Sequence, residues 1–352
     1  MDKDTKTAKE ALDSIINKSR AHFYKPIQIA ELLYRYRTTS EVDLDNPESY
    51  RNASKHWRDD MTLSLLGRKC SSTARFQDNL FEENAVPPRL IKILAIENKR
   101  NKGAVEAYIY KRFSEKYRQL SNALSICINA TPGDFFVKAF IDSFWKEKGL
   151  KRSLDKVYEI IVYALFSTIV ETLKMKVEVS VDASHADILS EFDDFAKMVM
   201  CIDARNLSYS QDAKVFRVGV TNAADRGLDM YSNWGPAIQI KHLCLDPELA
   251  ESIVAGIASD RIVIVCKDAE KDVICSLLTQ IGWKSRIQSV VTEKELIRWY
   301  EKALRGKYSS EMGYTLLGKM RCELKNEFPA VTGLSEMQAE RGYTMIKNQD
   351  WN

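Results

Sequence analysis

The feature that most limits what this chain can become is a change of hydrophobic period near residue 176. Up to about residue 128 the apolar side chains recur at helical spacing, and residues 8–18 and PIQIAELLYRYR (26–37) read as helices. Pro26 falls in a first turn, where its missing N–H costs nothing. Asn46-Pro47, Pro87-Pro88 and the run from Asn129 to Asp134 break the pattern. Ser153, with Asp155 in the first turn, is expected to cap a long apolar helix, LDKVYEIIVYALFSTIVETLK. Beyond it the period falls to two. KVEVSV (176–181) alternates like a strand, ADILSEFDDFAKMVM (186–200) returns to helical spacing, and KVFRVGVT (214–221) alternates again. LDMYSN, the turn WGP (234–236) and AIQIKHL then read as a β-hairpin. A helix (DPELAESIVAGI), a strand (RIVIVCKD), a helix (AEKDVICSLLTQIGW), a strand (SRIQSVVT) and a helix (EKELIRWYEKAL) follow. The expected class is therefore α/β (α+β): a helical N-terminal region, then a mixed β-sheet flanked by helices.

A chain of 352 residues accommodates two or three domains. With 45% hydrophobic and 29% charged residues it can build a core, which excludes collagen-like and disordered classes. The seven Cys form no CxxC pair and the four His are dispersed, so reduced core thiols are expected and structural zinc is not. No apolar run approaches the ~18–20 residues a membrane span needs, and MDKDTKTAKEALD lacks the pattern of a leader, so no membrane association and a cytoplasmic location are expected. The net charge of +3 hides an asymmetry: residues 1–150 hold 26 Lys/Arg against 20 Asp/Glu, and the remainder 26 against 29. Residues 51–118 carry 15 basic and 8 acidic side chains interleaved with aromatics such as Trp57, Tyr108 and Phe113. That mixture suits a phosphate backbone, and it equally describes solvated helix faces over ordinary core aromatics.

The hairpin holds the residues with chemistry. Centred on Gly235, it would place paired numbers at a sum of about 470, with Asp229 opposite Lys241 and Tyr231 opposite Gln239. Period two then gathers Asp229, Gln239 and Lys241 on one face, with Ile238 and Ile240 on the other; a slip of one residue would undo the pairing. A carboxylate, an amide oxygen and an ammonium are what phosphodiester hydrolysis with Mg²⁺ requires: oxygen ligands for the metal and a cation beside the attacking water and the phosphorus. The same spacing also describes a surface Asp–Lys cross-strand pair worth under ~1 kcal/mol.

Asp229, nine intervening residues and Gln239-Ile240-Lys241 resemble the PD-(D/E)xK nuclease signature, and the helix, strand and helix that follow match that fold's order. More specifically, GVTNAADRGLDMYSNWGPAIQIKHLCLD (219–246), with RIVIVCKD and IRWYEKALRG behind it, resembles the HaeII group of type II restriction endonucleases, most firmly over residues 185–306. The resemblance implies sequence-specific, Mg²⁺-dependent cleavage of double-stranded DNA at a short, GC-rich palindrome. It also implies a cognate DNA methyltransferase acting on the same site. Leu228 replaces the nominal Pro and Gln239 the second acidic residue; Gln239 would be a neutral metal ligand beside Asp229, with Lys241 as the catalytic cation. Glu171, Glu191 or Asp194 is then a candidate for a compensating carboxylate. Arg226 could contact a phosphate or pair with Asp225, which itself reads better as a turn cap than as a catalyst; His242 reads as a core histidine and Trp234 as packed against the fold.

On this reading residues 1–150 form a basic, mostly helical DNA-recognition region with Lys99, Arg100 and Lys102 as phosphate contacts. Residues 151–305 form the nuclease core, and 306–352 a C-terminal helical extension. A homodimer is expected because a palindrome presents two equivalent strands, and the helices around Trp299 and residues 311–325 offer apolar faces that are either interface or core. A non-catalytic DNA-binding regulator, and a structure-selective nuclease on the same scaffold, are the alternatives.

Overall fold

The computed structural model describes residues 1–70, 80–218, 228–269 and 286–351, together with Asp272, Ser276 and Thr279. The chain folds into two compact units, one built from residues 1–157 and 320–352, the other from 158–218 and 228–319. The sequence pattern places boundaries at 150 and 305; the last 33 residues cluster with the N-terminal unit. No helix among the described residues is long and apolar enough to cross a membrane.

The first unit is helical: α1 (Lys3–Lys18), α2 (Tyr24–Thr38), α3 (Ala53–Leu66), α4 (Pro88–Arg100), α5 (Ala104–Ile128) and α6 (Val137–Lys146). Asp2 caps α1 by accepting a hydrogen bond from Thr5 N at 2.7 Å. Leu12, Ile27, Leu33, Leu94, Ile109 and Phe113 meet in a core that also takes in Tyr343 and Trp351. Charge is buried here in matched form. Arg37 grips Glu106 through two 3.0 Å hydrogen bonds, and Arg341 grips Glu31 at 2.7 and 3.0 Å. Tyr343 and Tyr110 donate to the same two carboxylates at 2.6 and 2.5 Å. The C-terminal residues are thereby tied to α2 and α5.

The long helix α7 (Leu154–Thr172) forms as expected, but not with the expected cap. Ser153 lies in the 3₁₀ turn Lys151–Ser153, where its buried Oγ has no hydrogen-bond partner. In the second unit β1 (Lys176–Ser180) pairs antiparallel with β2 (Ser208–Asp212), a strand the sequence pattern does not reveal. Between them the helical stretch is α8 (Ala186–Glu191) followed by a short turn and a π-helical segment, Ala196–Met200.

The main sheet is five-stranded in the order β3 (Val215–Arg217), β4 (Met230–Ser232), β5 (Ala237–Leu245), β6 (Ile262–Ala269), β7 (Ile287–Thr292). The first two pairings are antiparallel and the last two parallel, so the mixed sheet is as expected. Helix α9 (Pro247–Gly256) links β5 to β6, and Asp246 caps it by accepting from Leu249 N at 2.8 Å. Helix α10 (Glu293–Arg305) follows β7 behind a Thr292/Glu295 capping box. The helix expected over AEKDVICSLLTQIGW falls almost wholly outside the described residues. Helix α11 (Ser309–Glu327) uses Leu316, Leu317, Met320 and Leu324 as fully buried core residues, so that apolar stripe is core and not spare interface.

Candidate active site

The hairpin turns through Asn233–Gly235, with Gly235 at φ +118°, a conformation side-chained residues rarely adopt. Ser232 N donates to Pro236 O at 3.0 Å and Gly235 N to Ser232 O at 3.3 Å. The loop is thus three residues long and centred on Trp234, a known hairpin geometry with a left-handed last residue. Arg261 anchors the tip, donating to Trp234 O at 3.3 Å and to Gln288 Oε1 at 3.2 Å.

The pairs are Met230 with Ile238 and Tyr231 with Ala237, so paired numbers sum to 468 and not to 470. A shift of two residues keeps every side chain on its expected face and changes which polar residues meet. Asp229, immediately before β4, stands against Gln239 and not against Lys241. Gln239 Nε2 donates to Asp229 Oδ2 at 2.6 Å, and Ile240 N donates to the same oxygen at 2.7 Å. Asp229 O in turn accepts from Val218 N at 2.9 Å, which locks the residue between β3 and β5. Gln239 is only 2% exposed, and its Oε1 is buried without a hydrogen-bond partner. Lys241, two residues on along β5 and half-buried, is level with Cys266 of β6.

The face carrying these residues is less polar than the sequence implied. Gln239 is level with Ile264 and Lys241 with Cys266, while Ala237, Ile262, Ile264 and Cys266 pack on Ala250, Ile253 and Val254 of α9. The reverse is mostly apolar: Ile238, Val263 and Val291, with Trp234, Trp299 and Phe166, line a cavity of about 700 Å³ to which Ser289 and Lys302 also contribute. Trp234 is thus packed against the fold, as its sequence context implied. His242 is half-buried beside a register shift that begins after Lys241, not in the core as expected. The irregularity rotates the strand out of the pleat at that point.

The remaining candidates divide clearly. Glu171 is ion-paired with Lys319. Glu191 and Asp194 are exposed on the segment between β1 and β2. Among the described residues no group of three or more His, Cys, Asp or Glu could hold a metal ion. Arg226 and Asp225 lie outside the described residues. Lys99, Arg100 and Lys102 are at the end of α4 and the tight connection to α5; Lys99 lies 5.2 Å from the Tyr36 ring centroid, and Arg100 pairs with Glu97. Sequence reasoning missed the Asp229–Gln239 bond itself. A signal was present in Gly235, since a glycine closing a three-residue loop moves the hairpin centre to Trp234.

A half-buried carboxylate held by an amide and a backbone N–H thus stands beside a buried amide oxygen without a partner and a lysine on the same strand. A family model described as HaeII restriction endonuclease matches residues 8–343, and the chain belongs to that family of type II site-specific endonucleases. It is 53% identical over 327 residues to the type II restriction enzyme HaeII of Haemophilus aegyptius, covering 93% of each chain. It is 52% identical over 339 residues to the type II restriction enzyme NgoBI of Neisseria gonorrhoeae, covering 96% of each. No solved structure matches.

Proposed function

We propose that this restriction endonuclease hydrolyses phosphodiester bonds of double-stranded DNA at a short, GC-rich palindrome through a PD-(D/E)xK-type site made of Asp229, Gln239 and Lys241, with Mg²⁺ as cofactor. The observation that carries the reading is Gln239 Oε1, a buried oxygen without a partner, on the residue whose Nε2 fixes the Asp229 carboxylate. Leaving such an atom unpaired costs about 1–3 kcal/mol, so a buried orphan acceptor calls for a cation or donor in the working state. Amide and carboxylate oxygens are the hard donors that suit Mg²⁺, and Asp229 and Gln239 are the residues that would hold it. When bound, the metal supplies Lewis-acid polarisation of the phosphate and a more acidic water.

The chain's own residues do the rest. Asp229 is held in one orientation by two donors, which keeps its carboxylate preorganised. Lys241 carries positive charge from the same strand, where its Nζ orients the attacking water and balances the charge that builds on the phosphate oxygens. The apolar surroundings on β6 and α9 lower the local dielectric and strengthen both effects. Recognition falls to the helical, basic first unit, with Lys99, Arg100 and Lys102 and also Arg226 as phosphate contacts. A homodimer places one such site on each strand, and a cognate methyltransferase acts on the same sequence without binding the endonuclease. The test is digestion of a plasmid of known sequence with Mg²⁺ or with EDTA, with the fragment ends read. Discrete Mg²⁺-dependent fragments with identical ends support the proposal. A gel shift without cutting would instead indicate a DNA-binding regulator, and a smear a structure-selective nuclease.

A further inference from the structure

The excursion between β1 and β2 has the makings of an interface. Its two strands pair from Lys176 with Asp212 to Ser180 with Ser208 and enclose residues 181–207. It has a small core of its own, Leu189, Ala196 and Ile202 against Val181, Leu207 and Tyr209. Too small to bury the rest, it leaves Ile188 60%, Phe192 58%, Phe195 52%, Met198 84% and Val199 64% exposed. Ile188, Phe192, Phe195 and Val199 recur at intervals of four, three and four residues along a stretch that breaks at Phe192 between α8 and the following helical turns. A groove of about 430 Å³, almost entirely apolar, is lined by Ile188, Phe192 and Phe195 themselves together with Leu189 and Met200.

We propose that residues 186–200 form the two-fold contact between two copies of this chain in the cleaving complex. The inference rests on the reading that the enzyme cuts both strands as a dimer, and it assigns that dimer a surface. Area supports a second copy. Large side chains carry about 150–250 Å² each, so these exposures leave on the order of 600–700 Å² of mostly apolar surface, close to the ~800 Å² per partner of a standard interface. Charge argues against DNA as the occupant. The same fifteen residues hold Asp187, Glu191, Asp193 and Asp194 against Lys197 alone, and Lys197 is already paired with Asp193 at 2.5 Å. The net negative charge repels phosphates, and the apolar side chains among those carboxylates are what a second copy covers by packing the same stripe against them about a dyad.

Cys201 gives a probe that leaves the stripe intact, because it is exposed directly after Met200. The first measurement is sedimentation velocity of the full chain on a cognate duplex, wild type beside the double variant Phe195→Glu/Met198→Glu, with circular dichroism to establish that the variant is folded. Expected are two chains per duplex for the wild type and one for the variant, with dimerisation weakened by at least ~100-fold. The second is cross-linking of the wild type with a short bis-maleimide, expected to give a dimer band that Cys201→Ser removes although Cys244 and Cys322 are also exposed. A folded variant that still binds as two chains, or a dimer band that survives Cys201→Ser unchanged, would overturn the assignment of this surface and leave the dimer standing. One wild-type chain per cut duplex would overturn the dimer reading itself.

Discussion

Replacing Gln239 by Glu restores the acidic residue of the general nuclease pattern, yet in this site the amide is a donor. Gln239 Nε2 lies 2.6 Å from Asp229 Oδ2, and a glutamate in its place would set two carboxylate oxygens at that distance in a position 2% exposed. At an effective dielectric of ~20, two unit charges so close repel by about 6 kcal/mol. Protonation offers a cheaper escape: holding a carboxyl of ordinary pKa ~4.3 neutral at pH 7 costs about 4 kcal/mol. The metal-free variant should therefore lose about 4 kcal/mol, which at ~2–4 °C per kcal/mol lowers its melting temperature by roughly 8–16 °C. The sign with pH follows, because the pair's raised folded-state pKa makes the penalty absent below about pH 4 and increasing as pH climbs from there. A divalent cation bound between the two oxygens removes the repulsion, so millimolar Mg²⁺ should recover most of the loss. Gln239→Leu supplies the control, since it removes donor and orphan acceptor together and should cost about 1–3 kcal/mol with no rescue by metal. The assay is thermal melting by circular dichroism in EDTA and in Mg²⁺. If Gln239→Glu melts with the wild type in EDTA, or its melting ignores Mg²⁺, the site is not a metal site of this geometry.

Asp229→Ala and Lys241→Ala should each abolish plasmid cleavage while Lys241→Ala keeps specific binding; a folded variant cutting within about tenfold of wild type, only ~1.4 kcal/mol of barrier, would remove that residue from the mechanism. Neutralising Lys99, Arg100 and Lys102 together should weaken cognate and random DNA binding alike and flatten the salt slope by about 0.9 for each phosphate no longer neutralised, and an unchanged slope would show that these side chains face solvent. Burial, aided by the nearby Arg68 guanidinium, pushes His22 down to about 4. A base lowered from ~6.5 on folding keeps its full contribution above that pH and loses it as pH falls toward 4, so unfolding free energy should drop by up to ~3 kcal/mol over that interval. His22→Gln should remove this slope, and urea titrations at pH 7 and pH 4.5 that decline equally for both proteins would count against it.

Much of the architecture is local information. The helices from Lys3 to Ile128, the long helix from Leu154, the hairpin, β6, β7 and α10 all announce themselves by spacing, because burial of one face imposes a period on any amphipathic element. The hairpin's polar trio was legible for the same reason, since alternation alone puts Asp229, Gln239 and Lys241 on one face. What alternation does not contain is register. The three-residue loop moved the pairing by two residues and turned an expected Asp229–Lys241 pair into the Asp229–Gln239 hydrogen bond.

By itself, the sequence determined the order and type of most of the elements, the sheet face shared by Asp229, Gln239 and Lys241, the basic bias of the N-terminal half and the family. Each of these depends on residue types a few positions apart. Tertiary structure alone decided that Gln239 is buried with an unpartnered oxygen, that Ser208–Asp212 pairs with Lys176–Ser180, and that Arg341 and Tyr343 return to Glu31 and Glu106. Those contacts join residues as many as 310 positions apart, and a side chain's partner at that separation is set by how whole elements pack, for which no local spacing carries a mark.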